Sequence, residues 1–520
     1  MSYPKKIIKV RPTGGIVNDI DPSEVGPNFW TDGNNVHFRD GFAVRTTGET
    51  AVYDDLQDDI RHIRNLQAGG VNYWLYFGID SVYVVETTNH TDISPSLSTI
   101  SALNQWTSGI LNGVPFGNNG VDTPQYWGLD TGTAMAELSN WPSGASCYSM
   151  IAHRYNLFAL GWFDGSGDYP MDIHWSNSAE PGTIPTAWTA AATNDAGSIS
   201  LSATPGAIVH GAPLRGSLIV YKQHSAYSVD YIGGQYVYDA RKLFITVGML
   251  NRNCAAEVNG MHYLLADGDV VVTDGNTAQS VVDKRMRNWL FNQLDQSNFE
   301  GAFVVPYRQQ NEVWVCFPSS GNTACDLALV IDTTEGRTLG IRELPSVYHA
   351  AVGVIDDTAD SQVIDDQSQI IDTDHSLINQ QSYKEANDSL VLAYSDDASP
   401  TDSKLFQVDV GTDFNGTGIT ANVKKHKMTF DEPNRVKLIR RLIPHVDAAA
   451  STDIICRVGS SMSADGSTTW EAEQTYTVGT DEHLDFLTQG KFISVEARSS
   501  GGAAWTLLGF DLEGELRGYH

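Results

Sequence analysis

The sequence predicts a mainly β protein, made of a diverged β-propeller and a β-sandwich-like platform domain. Three observations predict this. Glycine (47 residues) and aromatic residues (10%) are abundant, as is typical of strands joined by tight turns. Long helical stretches rich in Ala, Leu, Glu and Lys are hard to find. A hairpin pattern returns along the chain, and 520 residues are more than one core usually holds, which indicates at least two folding units.

The first hairpin pattern covers residues 35–45. Two short alternating strands flank Asp40-Gly41, and these residues tolerate the positive φ that a tight hairpin turn requires. We expect one face of the hairpin to carry Val36, Phe38, Phe42 and Val44. The residues before the hairpin are rich in Gly, Asp and Pro, which predicts an extended arm.

Five further hairpins follow, each an apolar and often aromatic strand pair with a short polar turn. Their strand pairs are 72–77 with 82–85, 153–160 with 173–176, 218–221 with 226–229, 263–265 with 270–272, and 313–317 with 327–331. Repeated hairpins without crossover helices favour the radially arranged sheets of a propeller. A stack of β-sandwiches would give the same local pattern, because periodicity fixes strands and not their arrangement.

These patterns divide the chain into four segments. Residues 1–55 form an arm and hairpin that joins the platform, 56–350 the propeller, 351–390 an acidic linker and 391–520 the platform domain. The best helix candidate is 283–294, where four apolar residues share one face at helical spacing. They are Met286, Trp289, Leu290 and Leu294.

The net charge of −30 disfavours ordinary binding to phosphate backbones. Two interpretations fit this charge: it serves only solubility, or it belongs to a surface that DNA passes without binding. Five scattered cysteines without a CxxC pair indicate buried, reduced thiols in a protein that folds in a cytoplasm. The N-terminus has no apolar signal region, and no apolar run reaches the ~20 residues of a membrane helix, so we expect neither export by a classical signal nor membrane insertion.

No motif predicts catalysis. The fourteen histidines are scattered without HExxH or HxH spacing, and neither GxSxG nor a phosphate-binding loop occurs. Gly233-Gly234 is interpreted as a turn that follows a strand and not as a phosphate-binding loop. Residues 463–470 resemble the Asp box of sialidase propellers, but Gly466 directly follows Asp465, so a structural role is favoured. The acidic stretch lacks the Gly spacing of a Ca²⁺ loop. We therefore expect no catalytic residue, metal or cofactor.

Several segments resemble one family, the tail nozzle proteins of short-tailed bacteriophages, also called tail tubular protein B or packaged-DNA stabilisation protein. The resemblance is carried by GGIVND at 14–19, WTDGNNVHFRDG at 30–41, LIVYKQHSAYSVDYIGG at 218–234, Gly248, 263–275, 440–442 and 507–512. It spans most of the chain, although no single piece is a strict motif.

The resemblance implies a structural subunit of the virion tail, assembled in the host cytoplasm as a homo-hexameric ring. The ring would extend the DNA channel below portal and adaptor, retain the genome and pass it at ejection. Its partners would be the tail adaptor protein, tail fibre or spike proteins, and DNA that passes without sequence-specific binding. The family supplies no catalytic or cofactor residues to carry over.

An acidic channel lets DNA slide because phosphates find few cationic anchors. The densest acidic cluster supplies the candidate channel-lining residues: Asp356, Asp357, Asp360, Asp365 and Asp366. A solvated outer loop is the other interpretation of these residues. The alternative for the whole chain is a host-surface-binding or glycan-degrading β-propeller protein, for which no pair of carboxylates stands out.

Overall fold

The computed structural model describes residues 5–86, 88–100, 106–234, 236–334, 337–355, 388–395, 402–499 and 501–519. Five short strands come first, and all of them later pair with distant parts of the chain. They are β1 (Lys5–Val10), β2 (Asp32–Asn34), β3 (Val36–Arg39), β4 (Phe42–Arg45) and β5 (Glu49–Val52).

Five consecutive four-stranded antiparallel sheets follow. Blade 1 is β6 (His62–Ala68), β7 (Val71–Phe77), β8 (Val82–Glu86) and β9 (Asn89–Asp92); blade 2 is β10 (Thr107–Leu111), β11 (Val114–Asn118), β12 (Gln125–Tyr126) and β13 (Ala136–Glu137); blade 3 is β14 (Ser146–His153), β15 (Asn156–Phe163), β16 (Asp168–Trp175) and β17 (Gly197–Ser200). Blade 4 is β18 (Ile208–Leu214), β19 (Ser217–Lys222), β20 (Ala226–Tyr231) and β21 (Tyr238–Phe244); blade 5 is β22 (Ala255–Val258), β23 (Met261–Ala266), β24 (Asp269–Thr273) and β25 (Ala278–Ser280).

The only α-helix among the described residues, α1 (Arg287–Gln293), follows blade 5. It is shorter than the predicted 283–294, because the backbone of Met286 and that of Leu294 both leave helical geometry. Leu290 is fully buried and Trp289 packs edge-on against Phe317, so the predicted apolar face does contact the sheets.

Blade 6 consists of β26 (Phe303–Tyr307), β27 (Glu312–Phe317), β28 (Cys325–Asp332) and the first half of β29 (Leu339–Gly353). Short 3-10 helices lie at Phe299–Gly301 and Arg308–Gln310. β29 changes partner at Val347, from β28 to the next strand in the chain. The change lies beside Pro345, which has no N–H to donate, and Ser346, which has φ of 32°.

The second half of β29 begins a seventh blade with β30 (Ser389–Tyr394), β31 (Lys404–Val408) and β5. Its outer strand therefore comes from the N-terminal region and closes the ring. The inner strands of all seven blades contact their neighbours in order, from β6 round to β29 and back to β6. The described chain thus contains a closed seven-bladed propeller. The five hairpins predicted from the sequence are the middle strand pairs of blades 1, 3, 4, 5 and 6.

Both ends of the chain build the platform domain. Its strands after the small hairpin β32 (Asp413–Phe414) and β33 (Thr417–Gly418) are β34 (Asn422–Met428), β35 (Arg435–Ala448), β36 (Asp453–Ser461), β37 (Thr469–Trp470), β38 (Gln474–Thr477), β39 (Leu484–Gly490), β40 (Phe492–Ser499) and β41 (Trp505–Tyr519). One sheet runs β4–β41–β35–β39, with β1 also on β41; the other runs β2–β34–β40–β36, with β37 and β38 on β36. Trp30, fully buried, packs edge-on against Phe510 in the core between them.

The first hairpin is confirmed, but its predicted face is wrong. Asp40 and Gly41 have φ of 51° and 79° and form a two-residue turn. This turn sets Phe38 opposite Ala43 and Val36 opposite Arg45. The residues that share the face of Val36 and Phe38 are therefore Ala43 and Arg45, because side chains alternate and a shift of one residue exchanges the faces.

The strand pairings also place the domain boundaries differently from the prediction. β5 belongs to blade 7 and not to the arm, and β30 and β31 belong to the propeller and not to the segment 391–520. The predicted linker 351–390 falls mostly on residues 356–387, which lie outside the described part of the chain. These boundaries escaped prediction because blade 7 joins three segments that are far apart in sequence.

Candidate functional site

The five candidate channel residues, Asp356, Asp357, Asp360, Asp365 and Asp366, lie outside the described residues. Within the described ranges, no group of three or more His, Cys, Asp or Glu side chains could hold a metal ion. The Asp-box-like segment connects β36 to β37 in the platform, where Arg457 covers the Trp470 ring at 4.5 Å. All five cysteines are buried and free, as predicted.

Polar side chains that sequence reasoning missed meet at the propeller axis. His62, at the start of the inner strand of blade 1, contacts both neighbouring blades. Its Nε2 is hydrogen bonded to the Ser108 hydroxyl of blade 2 at 2.7 Å, and its ring lies 4.0 Å from that of His349 in blade 7. The side chain is 5% exposed, and its Nδ1 has no hydrogen-bond partner. One ring nitrogen is thus buried at the axis without a partner.

Two more histidines share this environment. His349 accepts a hydrogen bond at Nδ1 from the backbone N–H of Ile63 at 3.4 Å. His210, from blade 4, has a buried Nδ1 without a hydrogen-bond partner. Burial lowers the pKa of both His349 and His210 to about 3, with further lowering from Arg64 and Arg252 respectively. Burial, with His349, Arg64 and His210 nearby, also holds the pKa of His62 well below its ordinary value. At neutral pH these imidazoles are uncharged.

Arg64 is the permanent charge in this group. It lies two residues after His62 on the same strand, so both side chains leave the strand on the same face. Solvent reaches the Arg64 side chain although protein surrounds it, and partial removal from water lowers its pKa. None of the described carboxylates forms an ion pair with it. We call His62, Arg64, Ser108, His210 and His349 the axial cluster.

One loop reaches across the axis at the end where the inner strands begin. Arg252, before blade 5, places its guanidinium 4.0 Å from the centre of the Tyr148 ring in blade 3. The Asn253 side chain donates to the Trp106 carbonyl of blade 2, and the Asn253 carbonyl accepts from the backbone N–H of Val304 in blade 6. The loop therefore spans four blades and covers this end of the lumen.

A second polar cluster joins the platform hairpin to blades 6 and 7. We call it the junction cluster, and its charged members are His37, Arg39, Glu49, Glu312, Arg342 and Asp409. Arg39 Nε lies 2.8 Å from Glu312 Oε1, and its Nη2 lies 3.2 Å from Asp409 Oδ2. His37 Nδ1 lies 3.1 Å from the same Glu312 oxygen. Arg342 Nη2 lies 2.7 Å from Glu49 Oε1.

Burial alone would raise the pKa of Glu312, but His37 and Arg39 overcome it and hold this pKa below its ordinary range. Arg39 and Arg342 do the same for Asp409 against its own burial. For Glu49, burial prevails over Arg342 and raises the pKa. The cluster therefore keeps most of its charges inside the protein, where removal of one partner leaves the other without compensation. It fixes the hairpin of the platform against the propeller.

Neither cluster carried a signal in the sequence. The three axial histidines and Arg64 come from three different blades, and the junction residues are spread from position 37 to position 409. The strand pattern of each segment was visible, but the closure that brings these segments together depends on pairing between distant strands.

The fold defines this chain as a seven-bladed β-propeller protein with a β-sandwich platform. No family model matches its sequence, and no curated protein matches it. None of the described helices is long and apolar enough to cross a membrane.

Solved structures of several different proteins are similar to this chain, among them the following three. PorZ, a surface component of the type-IX secretion system of Porphyromonas gingivalis, is 10% identical with a TM-score of 0.35, over 73% of this chain and 43% of PorZ. The extracellular domain of BT4673 from B. thetaiotaomicron is 9% identical with a TM-score of 0.37, over 94% of this chain and 56% of that one. The β-propeller domain of Myceliophteria thermophila Cps50 (Swd1) is 10% identical with a TM-score of 0.36, over 58% of this chain and 91% of that domain. These low scores assign neither a family nor a function.

Proposed function

We propose that this chain is a structural subunit of the tail nozzle of a short-tailed phage virion, without enzyme activity. The observation that carries the proposal is the junction cluster. It fixes a propeller to a platform made from both chain ends through ion pairs between the hairpin and blade 6, among them Arg39–Glu312 with side chains 24% and 2% exposed. A nozzle that retains a genome under pressure needs subunits whose two parts do not move against each other. The resemblance of residues 30–41 and 218–234 to nozzle proteins supports the same assignment.

In this proposal six copies form a ring that continues the DNA channel below portal and adaptor. The net charge of −30 per chain supports passage of DNA without sequence-specific binding, because phosphates meet a predominantly anionic protein. Adaptor and fibre or spike proteins are the proposed neighbours, and the virion tail is the proposed location.

One observation favours the alternative, a propeller that binds or degrades glycans on a host surface. Tyr155, Tyr231 and Tyr236 are 59%, 50% and 73% exposed. They lie in turns of blades 3 and 4 at the same end of the propeller, with Arg154 stacked 4.9 Å from the centre of the Tyr231 ring. Exposed aromatic rings of this kind are typical of interaction surfaces.

Cryo-electron microscopy of virion tails that contain the chain tests the proposal. Six copies around one axis are expected, and native mass spectrometry of the purified chain at rising concentration should show the same number where rings form without a template. Another symmetry in the tail, or turnover of a host polysaccharide by the pure protein, would contradict it.

A variant with Tyr155, Tyr231 and Tyr236 changed to Ala separates the two functions. The nozzle proposal expects the copy number and ring to be unchanged. The alternative expects loss of binding on a glycan array, with the unmodified protein as the matched control.

A further inference from the structure

The axial cluster holds a cationic group, Arg64, for which the described residues supply no counter-charge. Arg64 has no carboxylate ion pair among the described residues, and the electrostatic influences on the three axial histidines come from Arg64, Arg252 and one another. Solvent reaches the Arg64 side chain, so an anion from solution can also approach its guanidinium. Such an anion would be attracted by a cation that no described carboxylate neutralises.

The hydrogen-bonding groups around Arg64 match this need. The His62 side chain is 5% exposed, and its Nδ1 has no hydrogen-bond partner. Nδ1 of the partly buried His210 has no hydrogen-bond partner either. A neutral imidazole donates one N–H, and which nitrogen carries it adjusts to the partner. Unpartnered polar atoms in a protein interior are rare and costly, so their presence at the axis beside Arg64 indicates a missing acceptor.

We propose that the axial cluster is a binding site for a small oxyanion of the phosphate or sulfate type. The Arg64 guanidinium, with its planar fork of N–H donors, forms the charged contact, and the imidazoles of His62 and His210 donate the remaining hydrogen bonds. The Ser108 hydroxyl already orients the His62 ring through Nε2. The site is independent of the nozzle proposal, because it lies inside each propeller and not between subunits.

The closed end of the lumen limits the size of the occupant. The loop at Arg252 and Asn253 spans the axis through contacts with Tyr148, Trp106 and Val304. A threaded polymer cannot pass this loop, so the proposed source is a free ion and not a phosphate of nucleic acid.

Isothermal titration calorimetry and thermal melts with inorganic phosphate, at ionic strength matched with sodium chloride, test the site. The full chain should bind phosphate and melt at higher temperature in it, since a ligand specific for the folded state stabilises that state. Arg64→Met should weaken binding about tenfold or more, as expected for loss of a charged hydrogen-bond partner. Arg64→Lys keeps the positive charge but lacks the planar fork of N–H donors. Its affinity for phosphate should lie between that of the unmodified chain and that of Arg64→Met.

The matched control is Arg241→Met, which removes one exposed positive charge from the outer strand of blade 4. It should bind phosphate like the unmodified chain. Equal affinity in Arg64→Met and the unmodified chain, or no phosphate effect beyond that of chloride, would overturn the proposal. Histidine-selective carbon-13 NMR of the unmodified chain supplies a readout that does not depend on a variant: three axial resonances should move with phosphate. Displacement of phosphate by a 5′-phosphorylated oligonucleotide would overturn the assignment to a free ion.

Discussion

Arg342 of blade 6 and Glu49 of blade 7 form an ion pair of 2.7 Å with both side chains almost completely removed from solvent. Glu49 comes from the first tenth of the chain and Arg342 from its second half, so the pair can form only after the ring has closed. The Arg342 guanidinium also lies 4.7 Å from the centre of the Trp314 ring. The presence of this ion pair therefore indicates that the propeller ring is closed.

The first prediction concerns this pair. Arg342→Met should lower the free energy of unfolding by about 3–5 kcal/mol, because it leaves Glu49 buried without a partner. Denaturant unfolding measures the change. Addition of Glu49→Gln should restore part of the loss. The control is Arg308→Met in the exposed Arg308–Glu257 pair, 62% and 38% exposed, which should cost about 1 kcal/mol or less. If Arg342→Met and Arg308→Met lowered the free energy of unfolding equally, burial would not be the reason for the cost at Arg342.

The second prediction concerns the turn at Gly41. Its φ of 79° is disfavoured for a β-branched residue, and a Cβ there would lie 3.3 Å from Cβ of Thr13. Gly41→Val should lower stability by about 1–3 kcal/mol in a thermal or denaturant melt. Gly128→Val is the matched control, since an added Cβ meets nothing within 4 Å there and the residue is exposed. If Gly41→Val left the melt unchanged, the hairpin turn would not be at Gly41.

The third prediction is a pH dependence. Lys425 is 2% exposed and donates to the carbonyls of Val25 and Gly26, at 3.2 and 2.6 Å. Burial lowers its pKa to about 8. Between this value and the ordinary lysine pKa, the unfolded chain binds a proton that the folded chain has lost, so stability rises with pH in this window.

The measurement is the free energy of unfolding from pH 8 to 10 for the unmodified chain and for Lys425→Met. Relative to the variant, the unmodified chain should gain up to about 1.4 kcal/mol per pH unit. Parallel curves for the two proteins would mean that Lys425 titrates normally in the folded state.

The fourth prediction concerns the proposed acidic channel. If Asp356, Asp357, Asp360, Asp365 and Asp366 line a water-filled channel, their reversal to Lys should leave the melting temperature unchanged, since charges in contact with water contribute little to stability. The mutant phage should eject DNA more slowly, and more so at low salt, where phosphate contacts are less screened. The control reverses five exposed acids elsewhere: Glu137, Glu180, Asp239, Asp267 and Glu471. Normal ejection at every salt concentration would place the five aspartates away from the channel.

The sequence predicts those elements whose partners are adjacent in the chain. The turn at Asp267-Gly268 lies between two apolar strands, so local alternation was enough to locate it. Blade 2 escaped because its outer strands, Gln125–Tyr126 and Ala136–Glu137, are two residues each and show no alternation. Blade 7 escaped prediction because its outer strand, β5, lies hundreds of residues before β31, with which it pairs. The axial site depends on both, since it exists only where the inner strands converge.

Closure of the ring by β5 has a consequence for synthesis of the protein. β5 leaves the ribosome about 350 residues before β31, its partner at Lys404–Val408, which at ~5–20 residues per second is a delay of roughly 20–70 s. The delay is longer still for β1, because its partner β41 is the last strand to be synthesised. During this interval β1, β2 and β5 have no native partner strand, and their unpaired backbone groups are open to pairing with other chains. A chain that terminates early can complete neither the last blade nor the platform, so translation to the C-terminal region is a precondition for a native subunit.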